Sequence, residues 1–249
     1  MKRVKLVVAY DGTNYCGWQV QKNGETIESV LNRAIGELTG EEIHVMGSSR
    51  TDAGVHACGN VAVFDTEARM AADKFSYALN QRLPEDIRIQ DSCEVPADFH
   101  PRFQKTVKTY EYRILNREFP LPAYRFNSHF TYRKLDVERM RQAAAYLIGE
   151  HDFQSFCAAG AQVKTTVRTI YALDVEKRGD LIILRITGNG FLYNMVRIIA
   201  GTLMKIGQGD WEPERIPEIL AGCDRQLAGP TAPARGLTLM EIHFKGEKG

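Results

Sequence analysis

The sequence predicts an α+β fold made of two halves, each with the element order β-α-β-β-α-β. Three observations carry this. Apolar residues at helical spacing (Ile27, Val30, Leu31, Ala34, Ile35, Leu38) alternate with stretches rich in β-branched residues. Strand-like runs meet at glycine-bearing turns, as around Arg178-Gly179. The order of elements repeats, loosely, beyond a boundary at residues 96–104.

Taken in order, residues 2–10 read as a strand and 11–19 as a loop carrying aromatics, D-G-T-N-Y-C-G-W-Q. A helix follows over 26–38, ended by Gly40. Residues 42–48 and 60–66 read as strands on either side of a charged, glycine-bearing segment. Asp73 is expected to cap a helix running to Arg82 and stopped by Pro84. A strand over 86–95 closes the first half, a split arrangement of the ferredoxin-like kind. In the second half, residues 105–116 and 128–132 read as strands. Leu135-Asp136 opens a helix to Ile148 with Val137, Met140, Ala144 and Leu147 on one side. Residues 165–177 and 180–187 form a hairpin, 191–206 and 214–221 are helical, and 237–244 is a last strand. Two such halves imply antiparallel sheets flanking a central groove, with domains at 1–100 and 101–249. Between Asp11 and Trp18 the residue types fit a packed loop and an RNA contact equally.

The composition suits a globular protein: 249 residues, 44% hydrophobic and 25% charged. Five cysteines are odd in number and contain no Cys-x-x-Cys pair, so neither a disulfide framework nor a zinc site is indicated. Together these favour the cytoplasm. The basic-then-apolar start M-K-R-V-K-L-V-V-A is too short for a signal peptide and runs into Asp11-Gly12, as a first strand would. No apolar run approaches a membrane span. The net charge is +1, but its distribution is uneven. Residues 101–141 hold ten Lys/Arg against four Asp/Glu, whereas the rest hold 22 against 27. A basic stretch of this kind is able to follow a phosphate backbone, or to form a solvated surface.

The chain is organised around residues 47–65, G-S-S-R-T-D-A-G-V-H-A-C-G-N-V-A-V-F-D. Strand-like residues flank a compact run holding Arg50, Asp52, Gly54 and His56. An Arg and an Asp two positions apart share a side on a strand or tight turn and not on a regular helix. As a fragment, Asp-Ala-Gly is ordinary turn chemistry. His56 and Cys58, two apart, lack a third orienting group for a thiol nucleophile. No histidine pair has metal-ligand spacing, so no metal is expected. Tyr110, Tyr112 and Ile114 alternate onto one face of a strand, as core residues do. Around 188–203, G-N-G-F-L-Y-N-M-V-R-I-I-A-G-T-L, an apolar stripe of Phe191, Met195, Ile198, Ile199, Thr202 and Ile206 leaves Arg197 opposite, beside Asn194 and Gly201.

The eight residues R-T-D-A-G-V-H-A resemble the catalytic signature of the tRNA pseudouridine synthase A family, and 188–203 resembles its second signature. K-T-Y-E-Y-R-I, F-H-P-R-F at 99–103 and T-A-P-A-R-G-L at 231–237 also look like family segments, so the resemblance covers nearly the whole chain. Ser49 departs from a usual Gly, Val63 follows a strand position where His is common, and Asn194 replaces a frequent His.

The resemblance implies isomerisation of uridine to pseudouridine at positions 38 to 40 in the anticodon arm of tRNA, without cofactor. It implies a homodimer and a central cleft that binds RNA. Asp52 is then the carboxylate that meets the ribose, as nucleophile or as base; the residues leave these two roles open. A free Asp, with a pKa of about 3.9, is ionised at neutral pH. Tyr110 is the substrate-holding aromatic, and Arg197 the arginine that pairs with Asp52 across the two halves. Extruding the base also needs a cation to follow the phosphate, and Arg50 is the candidate for that task. Other chemistries fit less well. A non-catalytic module of RRM topology would need aromatics on its central strand, and N-V-A-V-F-D-T lacks that stacking pair. A glycosidase would need a second acid near Asp52, and only Asp65 is close in sequence.

Overall fold

A computed structural model of the chain describes residues 1–160 and 163–244. In chain order the elements are β1 (Lys2–Tyr10), α1 (Ile27–Thr39), β2 (Met46–Gly47), β3 (His56–Thr66), α2 (Phe75–Asn80) and β4 (Ile87–Val95). They continue with β5 (Thr106–Asn116), β6 (His129–Thr131), α3 (Val137–Ala145), β7 (Gly149–Asp152), β8 (Val167–Arg178) and β9 (Leu181–Gly188). The last are α4 (Met195–Gly207), α5 (Arg215–Gly222) and β10 (Leu237–Phe244). The fold is mixed α+β with mostly antiparallel strands. The described residues of Met1–Lys105 and Leu239–Gly249 make one compact unit, and those of Thr106–Thr238 the other.

In the first unit the strands lie in the order β4-β1-β3-β10, and β2 pairs with β3. β1 alternates strictly, burying Val4, Leu6 and Val8 completely and turning the residues between them partly outward. The helix α1 begins where Thr26 accepts from the Ser29 amide while Ser29 returns a bond to Thr26, a capping box that satisfies two orphan donors. Its buried face is Ile27, Val30, Leu31, Ala34 and Ile35, the periodicity read from the sequence. Phe64 of β3 meets Phe75 of α2 edge to face at 5.3 Å.

Two local expectations fail here. The strand expected over 42–48 shrinks to Met46–Gly47, because the amide of Val45 takes the side-chain oxygen of Asn32 on α1 at 2.8 Å. Ile43 and Val45 bury their side chains without joining a ladder. Asp73 caps no helix: α2 starts at Phe75 with no side-chain cap, after a short 3-10 turn over Ala72–Lys74.

In the second unit the order is β5-β9-β8-β7, all antiparallel, with β6 parallel to β5. The hairpin between β8 and β9 turns on Gly179 and Asp180, one residue later than expected. α3 carries a working N-cap, the Asp136 carboxylate accepting from the amides of Glu138 and Arg139, but it ends at Ala145 and not at Ile148.

The largest correction concerns α4. Residues 191–194 are not helical, because Asn194 takes the left-handed conformation at φ 59°. The helix after it is buried nearly all round rather than along a stripe. One reason is close approach at Gly201, where an added Cβ would sit 1.8 Å from the carbonyl oxygen of Pro230. Only glycine lets the segment 229–232 lie that near the helix.

Candidate active site

The loop between β2 and β3 presents Asp52 from a backbone held on several sides. Ser48 N donates to Val61 O at 2.7 Å, keeping the start of the loop against β3. Ser49 and the fully buried Asn60 clasp each other: Ser49 N donates to Asn60 Oδ1 at 3.3 Å, and Asn60 Nδ2 donates to Ser49 O at 3.0 Å. Asn60 Nδ2 also reaches the Tyr10 hydroxyl at 3.2 Å, and that hydroxyl lies 2.8 Å from Thr51 Oγ1. Val55 N donates back to Asp52 O at 3.1 Å and closes the turn. Asp52 itself is half-buried, and Arg50, two residues earlier, is exposed.

The segment 11–18 packs beneath this turn, which decides between the two readings left open for it. Trp18 and Tyr15 are buried. Trp18 N donates to Thr51 O at 3.0 Å and Gly54 N to Tyr15 O at 3.3 Å. Gly17, at φ 88°, runs so close that a Cβ there would meet Thr51 O at 2.6 Å. The first residue of the segment is pinned as well. Burial of Asp11 would raise its pKa. The Thr13 hydroxyl and amide that donate to it, with His56 beside it, outweigh burial and hold it below the usual carboxylate range. His56 Nδ1 stands 3.0 Å from Asp11 Oδ1 and 3.1 Å from the amide of Gly12, so this nitrogen serves the loop.

In the second unit, Tyr110 and Tyr112 share a face of β5, as their spacing requires, yet their surroundings differ. Tyr112 is wholly buried and donates its hydroxyl to Pro233 O at 2.9 Å. Burial raises its pKa. Tyr110 is 7% exposed, and its ring meets Phe191 edge to face at 5.3 Å. Arg197, on the first turn of α4, donates to Ala232 and Asn194 among its partners. Its Nε donates to Ala232 O at 2.8 Å and its Nη1 to Asn194 Oδ1 at 2.7 Å. The Ala232 amide in turn donates to Arg197 O at 3.1 Å. The left-handed turn at Asn194 thus places an acceptor beside the guanidinium, a role that the sequence showed only as a departure from His.

Arg102 lies within F-H-P-R-F, whose pattern carries no sign of the contact it makes. Its Nε donates to Gly47 O at 3.0 Å, at the foot of the Asp52 loop. Burial lowers its pKa, and so does the positive charge of Arg50. Among the described residues no three His, Cys, Asp or Glu side chains gather as a metal would require, and no helix is long and apolar enough to cross a membrane.

The model of a family described as tRNA pseudouridine synthase matches residues 6–104 and 143–245. The tRNA pseudouridine synthase A of Acetivibrio thermocellus is 48% identical over 244 residues, covering 98% of this chain and 100% of that protein. Its namesake in Ruminiclostridium cellulolyticum is 49% identical over 245 residues, and that of Brevibacillus brevis 51% over 245. Each covers 98% of this chain and 100% of the relative.

Proposed function

Because the chain belongs to the tRNA pseudouridine synthase family, we propose that it isomerises uridine to pseudouridine in the anticodon arm of tRNA, at positions 38 to 40. In this reaction the N1–C1′ bond breaks, the uracil turns while held, and C5 joins C1′. The hydrogen on C5 leaves to water and N1 gains one. Atoms and electrons balance within the nucleotide, so no cofactor is called for.

Asp52 acts at the ribose, either as nucleophile on C1′ or as base at C2′. The observation that carries this reading is the Asp52 turn: a carboxylate presented by a backbone clamped to Asn60, Trp18 and Tyr15, next to an exposed arginine. Such anchoring suits a group whose geometry must not relax during bond exchange. Arg50 follows the phosphate as the target nucleotide leaves the stack. Tyr110 holds the extruded base, supported by its edge-to-face neighbour Phe191. Arg197 orients the reactive carboxylate, and its double anchoring to Ala232 and Asn194 supports a positioning role.

The same reading takes the chain as two ferredoxin-like halves, 1–100 carrying the Asp loop and 101–249 the Tyr strand and Arg helix. It acts as a cytoplasmic homodimer. The test is tRNA tritiated at uracil C5, incubated with the protein. Release of tritium into water with the RNA chain intact is expected; binding without release, or liberation of free uracil, would overturn the proposal.

A further inference from the structure

Far apart in sequence, the segments 47–50 and 100–103 are stitched side by side. Ser48 Oγ donates to Pro101 O at 3.0 Å, and Arg102 Nε donates to Gly47 O at 3.0 Å. This brings the guanidinium of Arg102 into the field of Arg50. Like charges repel, and an anion between them relieves the repulsion. Among the described residues neither arginine forms an ion pair with a carboxylate. Glu28 acts on Arg102 only at a distance, and it already accepts the Val20 amide at 2.8 Å.

The next residue narrows the kind of anion. Phe103 is 84% exposed, and one face of its ring is stacked on His100, with centroids 4.1 Å apart and planes 24° apart. A pre-set aromatic ring next to Arg102, in a segment bonded to the one that carries Arg50, offers the pairing that unstacked nucleotides use: a cation for the phosphate and a π-face for the base.

We propose that Arg50 and Arg102 together grip one phosphodiester of the RNA while Phe103 stacks an adjoining base, so that F-H-P-R-F is part of the RNA-binding surface. This rests on the reading of the protein as an RNA-modifying enzyme.

The experiment measures affinity for an anticodon-arm RNA hairpin against salt concentration, with the full-length chain carrying Asp52→Asn so that no turnover intervenes. Arg102→Gln is expected to weaken binding by about tenfold and to flatten the slope of log K against log salt by roughly one. Phe103→Ala should weaken binding by about tenfold with the slope unchanged, and Phe103→Trp should restore it. If both arginines hold one phosphate, Arg50→Gln with Arg102→Gln should lose less than the product of the single losses. A purely structural Arg102 would give a lowered melting temperature and an unchanged slope, overturning the proposal, as would fully multiplicative losses or an indifferent Phe103. Tritium release by the unaltered protein, run alongside, separates the two failures. Its absence sinks the functional reading, whereas release together with an unmoved Arg102→Gln slope sinks only this inference.

Discussion

The Asp52 turn and the start of α4 hold the side chains proposed to act in opposite ways. Asp52 has a short side chain, so its position is set by backbone: Ser49, Thr51 and Val55 are tied to Asn60, Tyr10, Trp18 and Asp52 itself. Arg197 has a long one, so a fixed helix does not suffice, and its guanidinium is tethered at the tip by Ala232 and Asn194. Damage to the first support should therefore appear in stability and activity together. Damage to the second should appear in activity with little change in folding.

The sharpest break is Asp52→Asn. It should cut tritium release by at least about 10³-fold while RNA binding by filter assay stays within a few-fold, since the amide keeps the shape and loses the charge. Retained turnover would remove Asp52 from its role.

Next comes the clamp. Asn60→Ala strands the buried amide and carbonyl of Ser49 and removes a partner of Tyr10, so it should cost about 2–4 kcal/mol in denaturant unfolding. Activity should fall with it, and a variant of native stability would show that the clasp is incidental.

On the other side of the contrast, Arg197→Lys should lower kcat by roughly ten- to a hundredfold with the melting temperature nearly unmoved, because an ammonium does not span Ala232 and Asn194 as the planar fork does. Asn194→Gly probes the tether alone. Glycine tolerates the left-handed backbone and deletes only the acceptor, so kcat should drop by about tenfold without unfolding. Equal losses of stability and activity in either variant would erase the distinction.

The smallest effect concerns pH. Asp11 has a folded pKa below its unfolded value of about 3.9, so its contribution is fully present above that value and fades as pH falls through the folded one. The protection of the Gly12 and Thr13 amides, taken relative to their intrinsic exchange rates, should fall below about pH 4, and Asp11→Asn should flatten that dependence. The effect stays under about 1 kcal/mol because the carboxylate is partly solvated.

Legibility followed the range of the interactions. α1 was readable because its face, its Thr26 cap and its Gly40 stop all lie within one short stretch. The strand over 42–48 was misread because the competitor for its amide, Asn32, sits on another element. β7 escaped notice since Gly149–Asp152 has no β-branched residue and is a strand only by pairing with β8. The helix expected from residue 191 started late because the αL turn at Asn194 is not a matter of hydrophobic period. The residues proposed to act, Asp52, Arg50, Tyr110 and Arg197, came from contiguous motifs. The hold of Arg102 on the Asp52 loop and the Ala232 half of the Arg197 tether did not, being set by segments distant in sequence, although Asn194 lies only three residues before Arg197.

What the chain determined alone is whatever neighbours along it decide: the R-T-D turn, the helical faces, the alternation that puts Tyr110 and Tyr112 on one side of β5. Folding in three dimensions decided what each of these meets. It buried Tyr112 on Pro233, slid residues 11–18 under the Asp52 turn, and bonded Arg102 to the foot of that turn at Gly47. Local pattern prescribes which way a side chain points, whereas hydrogen bonds, charge and close packing depend on whatever the rest of the chain brings within a few ångströms.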